Sequence, residues 1–368
     1  MAGRIVVFGA TGYTGRLVAE RLAGAGERPV LAGRSPERLA ALAERLGGLD
    51  TAHADVMRAN SVSALVGEGD VLVSTVGPFA KFGEPAVRAA LSGRATYLDS
   101  TGEPTFIRRV HEHHGPRAER AGVALLTAMG YDFVPGALAG GLALREAGAE
   151  AVRVDMGYFA LGAGATAASA GTRQSLVGAS LGESHAFRDG AVRRARPAER
   201  IRSFMVDGSP RRAISVGGAE HFGLPAAFPR LREVNVYLGW FGALARPMQA
   251  GTLVGSVATR VPGVRGVLEF AGSRLADLAG DGPEPGTTPG GTSWVAAQAY
   301  DAAGEPLAEV HLSGADGYAF TAEFMAWAAR AAAAGRVAGT GALGPVEAFG
   351  LDELERGCAA AGISRTAA

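Results

Sequence analysis

The stretch RIVVFGATGYTGRLVAERLAGAGERPVLAGRS, residues 4–35, decides the fold of the first part of the chain. It begins with RIVVF (4–8), a short run of apolar and β-branched residues that is typical of a buried parallel strand. A glycine-rich turn follows, and then a segment with apolar residues on one helical face that stops at glycine. PVLAG (29–33) predicts a second strand. The stretch therefore predicts two strands joined by a helix.

The same alternation continues along the chain. DVLVSTVG (70–77), ATYLD (95–99) and VALLT (123–127) each predict a strand, and segments with helical periodicity separate them. Ser35 and Pro36 suit the N-cap and the first position of the helix after the second strand. Strands that alternate with helices indicate an α/β fold with a doubly wound parallel sheet.

The rhythm changes beyond residue 130. AVRVDMGYF (151–159) and REVNVYLGW (232–240) predict strands, and a hairpin is expected around Ala303 and Gly304. These strands are not separated by regular helices, which indicates a second domain of α+β type. A helical tail, TAEFMAWAARAAAAG, follows this domain and has no strand partners of its own. We therefore expect the tail to pack back on the first domain.

The expected domain boundaries follow from this change of pattern. Residues 1–130 are expected to form the first domain, completed by about 320–368, and residues 131–319 a substrate and dimerisation domain. A homodimer is compatible with this arrangement.

The composition excludes several classes of protein. The chain has 36 basic and 36 acidic residues, so no net positive field favours nucleic acid or an anionic membrane. Neither a signal peptide nor a membrane-spanning run is expected. Cys358 is the only cysteine, which rules out an intramolecular disulfide and a cysteine-based zinc site and fits a reducing cytoplasm.

Lys81 is the only lysine in the chain, and its neighbours exclude two kinds of site. A Walker A loop requires Ser or Thr after its lysine, but Phe82 follows Lys81. The Tyr-x-x-x-Lys pair of short-chain dehydrogenases requires a tyrosine at position 77, which is Gly77.

The glycine-rich turn predicts a dinucleotide site. A helix N-terminus after a strand directs backbone N–H groups and the helix dipole at one point, which attracts a pyrophosphate. We expect Gly9 to allow the tight turn, Gly12 to let the pyrophosphate approach, and Gly15 to permit close packing of the helix on the strand. The predicted contacts of this turn are Gly9, Ala10, Thr11, Gly12, Tyr13, Thr14 and Gly15.

The end of the second strand favours NADP over NAD. NAD-binding units usually carry Asp or Glu there, which accepts a hydrogen bond from the ribose 2′-OH. This chain has Arg34 and Ser35 instead, so no carboxylate repels a 2′-phosphate. The guanidinium of Arg34 can stack on adenine and pair with the phosphate.

Two further loops are expected to line the cofactor. Ligands of open α/β sheets lie outside the carboxyl ends of the strands. STVGPFAKFGEP (74–85) and YLDSTGE (97–103) leave predicted strands at that edge. The predicted cofactor contacts in them are Ser74, Val76, Gly77, Pro78, Phe79, Thr101 and Gly102.

Several segments together resemble one family. GATGYTG, LAGRS, VGPFAKFGEPAV, TYLDSTGE and GYDFVPGALA occur in the order found in the saccharopine dehydrogenase-like oxidoreductases, and the nearest branch resembles the trans-acting enoyl reductases. The resemblance implies an NADP-binding Rossmann domain, a mixed second domain and a returning C-terminal segment. The branch usually has Ser-x-Pro-Ser-Asp after its Gly-aromatic-Asp, where this chain has Phe133, Gly136 and Ala137.

Hydride transfer often also requires a proton donor beside the developing charge. The candidates in the sequence are Tyr131, Asp132, Asp99, Lys81 and His221. Each also has a structural interpretation: Asp99 can order its loop, Tyr131 can pack, Lys81 can be a solvated charge, and His221 can be structural. HEHH (111–114) is interpreted as a solvated helix face, and no metal is expected.

Three functions remain open at this point. The first is an NADPH-dependent reductase of a C=C or C=N bond in a small or carrier-linked substrate. The second is a non-catalytic NADP-binding regulatory protein. The third is an amino-acid-forming reductase of saccharopine type, for which Arg173 is the best candidate to hold a substrate carboxylate.

Overall fold

The structure is a computed structural model that describes residues 3–162, 184–240, 242, 245–258 and 291–366. Its strands are β1 (Ile5–Phe8), β2 (Val30–Gly33), β3 (Thr51–His53), β4 (Val71–Ser74), β5 (Thr96–Asp99), β6 (Ala124–Leu126), β7 (Arg153–Leu161), β8 (Ser184–Arg188), β9 (Ala191–Ala195), β10 (Ile201–Val206), β11 (Ser209–Val216), β12 (Glu233–Leu238), β13 (Thr292–Tyr300), β14 (Pro306–Gly314), β15 (Gly341–Ala342) and β16 (Ile363–Arg365).

The α-helices within the described ranges are α1 (Tyr13–Gly24), α2 (Pro36–Arg45), α3 (Ala59–Ser63), α4 (Phe79–Phe82), α5 (Glu84–Gly93), α6 (Pro104–Arg109), α7 (Gly115–Ala121), α8 (Val134–Ala147), α9 (Glu220–Ala227), α10 (Ala245–Ala258), α11 (Gly317–Ala333), α12 (Pro345–Phe349) and α13 (Leu351–Ala360). A π-helical turn (Val110–His114) joins α6 to α7 and contains the HEHH segment. None of the helices that the structure describes is long and apolar enough to cross a bilayer.

The chain divides into two compact units. The first comprises Met1–Thr101, Phe106–Tyr131 and Tyr318–Ala361, and the second Gly102–Thr105, Asp132–Gly317 and Gly362–Ala368. The tail helix is thus part of the first unit, but the last residues are not.

The end of the chain belongs to the second unit because β16 pairs with β14 in antiparallel register. Ile363 lies opposite Gly314 and is fully buried. The sequence had predicted that residues up to 368 complete the first domain. A strand of only three residues, two of them exposed, carries too weak a pattern to reveal this pairing.

The first unit is built on a seven-stranded parallel sheet in the order β15-β6-β5-β4-β1-β2-β3. Its central strands β1 and β4 are buried throughout, because helices on both faces exclude water from them. Phe8 pairs with Ser74, and Ser74 pairs with Asp99, so the carboxyl ends of β1, β4 and β5 lie at one edge. The predicted Rossmann-type, doubly wound fold is confirmed.

The second unit is built on a mixed sheet in the order β10-β11-β12-β7-β13-β14-β16, with β8 and β9 attached beside β12. Strands β13 and β14 form the predicted hairpin, and its turn includes Asp301 and Gly304. Helix α8, which is buried from Val134 to Leu144, packs against β7, β13 and β14. The prediction of a second domain of α+β type is confirmed.

Candidate functional site

The glycine-rich turn has the backbone that a dinucleotide site requires. Gly9 has a φ of 89°, which favours glycine, and its N–H donates to the Ala32 carbonyl over 2.9 Å. Gly12 is the N-cap of α1, and its N–H donates to the Gly9 carbonyl over 2.9 Å. The first-turn N–H groups of α1 lack intrahelical partners and carry the positive end of the helix dipole. They are the groups that would hold a pyrophosphate.

Gly15 allows helix α1 to pack closely against this turn. A Cβ atom at Gly15 would lie 2.2 Å from the carbonyl oxygen of Gly9 and 2.6 Å from Oγ1 of Thr75. Thr75 itself donates from Oγ1 to the carbonyl oxygens of Phe8 and Gly9, over 3.2 and 3.3 Å. Thr75 is not among the predicted cofactor contacts, because its role depends on β1 and β4 being neighbours.

The end of the second strand, where the sequence predicts selection of the cofactor, contains Arg34, Ser35 and one further arginine. Arg34 is exposed directly after β2, whereas the hydroxyl of Ser35 donates to Oε2 of Glu37 over 3.2 Å. Arg38, in the first turn of α2, donates from Nη2 to the Thr11 carbonyl over 3.0 Å. Arg38 therefore joins the glycine-rich turn to this end and adds a second guanidinium. Arg38 is not among the predicted cofactor contacts, although its place in the helix beginning at Pro36 is the signal that identifies it.

The loop after β4 begins at the expected edge of the sheet. Ser74 is fully buried, Val76 is half-buried and Gly77 is exposed, and the Gly77–Pro78 peptide bond is cis. Phe79 is buried, and its ring packs on that of Phe106 with centroids 5.6 Å apart. Phe79 is thus a packing residue in this structure, and its predicted contact with a cofactor stays a prediction.

Lys81 lies on the surface of the short helix α4. Its side chain is exposed, and Nζ lies 4.9 Å from the centre of the Phe82 ring. Its proposed role as a proton donor stays a prediction that this placement does not favour.

Asp99 orders two loops at the edge of the sheet. Its Oδ1 accepts hydrogen bonds from the N–H groups of Thr101 and Ala128, both over 2.9 Å, and its Oδ2 accepts one from Thr127 over 2.8 Å. Burial raises the pKa of the Asp99 carboxyl to about 6, although these hydrogen bonds oppose the shift. The contacts support the loop-ordering interpretation of Asp99 and explain why Thr101 is held inside the loop.

Tyr131 packs inside the first unit. It is buried, its N–H donates to Oγ1 of Thr321 over 3.0 Å, and its ring meets that of Phe320 edge to face. Tyr131 therefore connects the loop after β6 with the tail helix α11, and its proposed catalytic role stays a prediction.

The next residue, Asp132, begins the longest segment of the second unit and lies in a different environment. Burial of its carboxyl group raises the pKa of Asp132 to about 6, although part of the residue stays accessible. It has no hydrogen-bond partner among the described residues. A Cβ atom at Gly102 would lie 2.7 Å from Oδ2 of Asp132, so Gly102 leaves room for this carboxylate.

A second carboxyl group, that of Glu220 in α9, lies near Asp132 and is not among the residues predicted from the sequence. Both Glu220 and Tyr158 are fully buried, and the Tyr158 hydroxyl donates to Oε1 of Glu220 over 2.6 Å. Burial raises the pKa of Glu220 to about 8, the hydrogen bond from Tyr158 opposes the shift, and the charge of Asp132 adds to it. Glu220 therefore keeps its proton at neutral pH. Its Oε2 has no hydrogen-bond partner within the part of the chain that the structure describes.

Two glycines make room for the Glu220–Tyr158 pair. A Cβ atom at Gly136 would lie 1.9 Å from the Tyr158 hydroxyl, and one at Gly218 would lie 2.3 Å from Oε2 of Glu220. Gly136 stands where the resembling branch usually has serine, so the structure gives a steric reason for that departure: the Tyr158 hydroxyl fills the space.

His221 is held by backbone groups. Its Nδ1 accepts a hydrogen bond from the Gly218 N–H over 3.0 Å, and its ring meets that of His185 edge to face. Burial lowers the pKa of His221 well below the usual range, and the neighbouring His185 adds to the effect. His221 is thus a neutral residue that positions Gly218 beside Glu220, which supports its structural interpretation. Arg173, by contrast, lies outside the described residues.

Three comparisons with known proteins bear on these observations. Residues 5–126 match the family model described as the saccharopine dehydrogenase NADP binding domain. A putative trans-acting enoyl reductase of Mycobacterium tuberculosis is 39% identical over 139 residues, which cover 36% of this chain and 33% of that protein. A trans-acting enoyl reductase of Mycobacterium leprae is 37% identical over 137 residues, with the same shares. The matched segment spans about a third of the length of these curated relatives.

One solved structure matches across the chain. Saccharopine dehydrogenase (L-Glu forming) from Saccharomyces cerevisiae covers 99% of this chain and all of its own length, with a TM-score of 0.58 and 14% sequence identity. At this identity the likeness shows the fold. The predicted resemblance and the prediction of NADP as cofactor are both confirmed. Residues 5–126 are therefore similar to the saccharopine dehydrogenase NADP binding domain, and the chain is similar in fold to saccharopine dehydrogenase.

Proposed function

We propose that the protein is an NADPH-dependent reductase that transfers a hydride to the C=C bond of a small or carrier-linked unsaturated thioester. The observation that carries the proposal is the glycine-rich turn at Gly9, Gly12 and Gly15, which lies inside the match to an NADP-binding domain. The names of the curated relatives favour an enoyl group as the acceptor. A C=N bond is the alternative acceptor for the same hydride chemistry.

The choice of NADPH is supported by the charges after β2. Arg34 and Arg38 place two guanidinium groups at the end of this strand, and both side chains are exposed. A 2′-phosphate carries nearly two negative charges, and arginine pairs with phosphate through two parallel hydrogen bonds. The first turn of α2 contains one carboxylate, that of Glu37, which accepts a hydrogen bond from the hydroxyl of Ser35.

Reduction of a C=C or C=N bond also consumes one proton for each hydride. The second unit contains an acid that keeps its proton at neutral pH, because burial raises the pKa of Glu220 to about 8. Asp132 lies close enough to influence it and has an accessible edge. We assign the storage of the proton to the group Asp132, Tyr158 and Glu220.

The cofactor is tested by replacing Arg34. In Arg34→Ala we expect the dissociation constant for NADPH to rise about ten- to hundred-fold, because a charge-assisted hydrogen bond contributes about 1.5–3 kcal/mol. The dissociation constant for NADH should stay within about twofold, since NADH lacks the 2′-phosphate. Both constants are measured by fluorescence titration.

The matched control is Arg117→Ala, which removes an equally exposed positive charge from α7 in the same unit. It should leave both affinities unchanged. Equal weakening of NADPH and NADH by Arg34→Ala, or wild-type protein that binds neither, would be incompatible with the proposal.

A further inference from the structure

The second unit contains an open pocket of about 640 Å³ on one face of its sheet. Three arginines line it: Arg153 from β7, and Arg200 and Arg202 from the segment that begins β10. None of the sites described above uses these residues. The pocket lies entirely within the second unit.

The floor of the pocket, formed by Asp155 and Asn235, belongs to a row of polar side chains across three neighbouring strands. Asp155 of β7 lies opposite Asn235 of β12 on one side and Gln298 of β13 on the other. Asn235 donates from Nδ2 to Oδ1 of Asp155 over 2.7 Å. Asp155 and Asn235 are both buried, so this floor is a fixed part of the sheet and not a solvated surface.

The buried carboxylate holds two of the arginines. Arg153 donates from Nε and Nη2 to the two oxygens of Asp155, over 3.1 and 2.8 Å. Arg202 pairs with the same carboxylate and also donates to Gln298 and to the hydroxyl of Tyr300. The guanidinium of Arg153 lies 4.3 Å from the centre of the Tyr300 ring. Both guanidinium planes are therefore fixed before any ligand arrives.

The third arginine is held at the rim. Arg200 donates from Nη1 to Oε1 of Glu233 over 2.5 Å and to Oδ1 of Asn235 over 3.2 Å. Although burial opposes it, the hydrogen bond from Arg200 holds the pKa of Glu233 below its usual range, so this pair is ionised at neutral pH.

The charged groups of the pocket lie at different depths. The Asp155 side chain is 1% exposed, whereas those of Arg153 and Arg200 are 32% and 41% exposed. Three guanidinium groups face two carboxylates, so the pocket carries one net positive charge. The accessible surface of the pocket is more positive than its net charge of one suggests, because the carboxylate of Asp155 lies beneath the guanidinium groups. Only Glu233, at the rim, shares that surface.

Several of the donors remain unused. Among the described residues, Nη1 of Arg153 and both Nε and Nη2 of Arg200 make no hydrogen bond. A guanidinium has five N–H groups in a planar fork that matches the oxygens of phosphate. Side chains that are locked by neighbours lose little entropy when they bind a ligand.

We propose that this pocket is an anion site that binds the phosphate group of a phosphate ester. A phosphate offers oxygens in several directions, which suits the unused donors of Arg153 and Arg200, while Arg202 adds its positive charge. A pocket of this volume is larger than a phosphate ion and leaves room for the organic part of the ester. Such a group occurs both on free coenzyme A and on the phosphopantetheine arm of a carrier protein.

The site itself does not depend on the proposed reductase function. Only the further step, in which the bound ester carries the substrate that is reduced, rests on that proposal. Binding of phosphate esters and binding of NADPH are measured separately, so either idea can fail without the other.

The test is a titration of the wild-type protein with inorganic phosphate, coenzyme A and a phosphopantetheinylated carrier protein. Saturating NADP⁺ is present, so that the adenosine phosphate of coenzyme A cannot occupy the nucleotide site. Arg200→Gln and Arg153→Gln each remove one guanidinium, and Arg212→Gln removes an exposed arginine from β11, outside the pocket. Calorimetry gives the affinities, and phosphorus NMR of the ester reports directly on the bound phosphate.

We expect at least one ester to bind and its affinity to fall about tenfold or more in each pocket variant, with no change in Arg212→Gln. Binding of coenzyme A would identify a free ester as the source, and binding of the carrier protein alone would identify its arm. The proposal is overturned if no phosphate compound binds the wild type below about 1 mM, or if folded pocket variants bind as the wild type does.

Discussion

Glu220 shows what the fold does to a single side chain. The residue is surrounded by protein and stands near Asp132, so its ionised form is disfavoured, although the hydrogen bond that it accepts from Tyr158 opposes this effect. In an unfolded chain the same carboxyl group would ionise near pH 4.5, whereas in the fold its pKa is about 8. The folded protein therefore binds a proton that the unfolded chain releases across this pH range.

The consequence is a fall in stability with rising pH. Below about pH 4.5 both states carry the proton, and the Glu220 contribution is at its most favourable. As the pH rises to about 8, the unfolded state gains the free energy of ionisation, at about 1.4 kcal/mol per pH unit, and stability falls by up to a few kcal/mol. Denaturant unfolding across this range should show the decline in wild type and a flatter curve in Glu220→Gln.

The control for this measurement is Glu305→Gln, which changes an exposed glutamate in the β13–β14 turn. It should reproduce the wild-type pH dependence. If Glu220→Gln declines as steeply as the wild type, Glu220 is not the group that holds the proton.

Individual residues were predictable from the sequence where their role is local. Gly9 and Gly15 lie within one strand–helix–strand unit, and the structure gives them the tight turn and the close helix packing that this unit predicts. The role of Arg34 in the same unit stays a prediction. Glu220 and Tyr158 are 62 positions apart and meet only because α9 packs beside the sheet. The three pocket arginines share one face of a sheet whose strand order no short motif reveals.

Helix α1 shows how an element is fixed by one close contact. It begins at Tyr13 and packs on β1 through Gly15, where the carbonyl oxygen of Gly9 leaves no room for a side chain. Because the same helix end supplies the N–H groups of the nucleotide site, its packing and its function depend on the same position.

Replacement of Gly15 should therefore impair both the packing of α1 and the binding of NADPH. In Gly15→Ala we expect α1 to shift from the turn, with a loss of unfolding free energy of about 1–3 kcal/mol and an NADPH dissociation constant raised at least about tenfold. Thermal unfolding and NADPH titration measure the two effects.

Gly24→Ala is the matched control in the same helix, since a Cβ atom there would meet nothing within 4 Å. We expect it to leave NADPH affinity unchanged and to stabilise the protein slightly, by at most about 1 kcal/mol. If Gly15→Ala behaves like Gly24→Ala, the close contact does not position the nucleotide site.

Elements were predictable where burial imposes a pattern. Strands β1, β2, β4, β5 and β6 are buried almost throughout and appear in the sequence as apolar runs. Strand β3 has two exposed residues out of three, and β9 is mostly exposed and contains two arginines. Such strands are held by their neighbours' backbone hydrogen bonds, so their side chains give no periodic signal.

The chain as a whole combines a nucleotide-binding unit with a second unit of separate architecture. The type of each sheet was predictable from the sequence. Strands that alternate regularly with helices form a parallel sheet, and strands without such helices favour antiparallel pairing. The assignment of two short segments to the second unit was not predictable from the sequence. These segments are Gly102–Thr105 and the final strand β16. Their assignment depends on long-range pairing and not on local pattern.

The most direct test of the proposed reductase is consumption of NADPH by the intact chain. The protein is incubated with deuterium-labelled NADPH and an α,β-unsaturated acyl thioester, carried either on coenzyme A or on a carrier protein. The saturated thioester is the control, and a 2-oxo acid with an amine provides a C=N bond instead. Cofactor absorbance and mass spectrometry of the product are followed together.

The account predicts that NADPH is oxidised only with the unsaturated thioester, and that one deuterium appears on a carbon of the former double bond. Glu220→Gln should slow this turnover while leaving NADPH affinity unchanged. Deuterium transfer to the C=N compound alone would contradict enoyl reduction, and NADPH binding without consumption of any of these acceptors would contradict the assignment as a reductase.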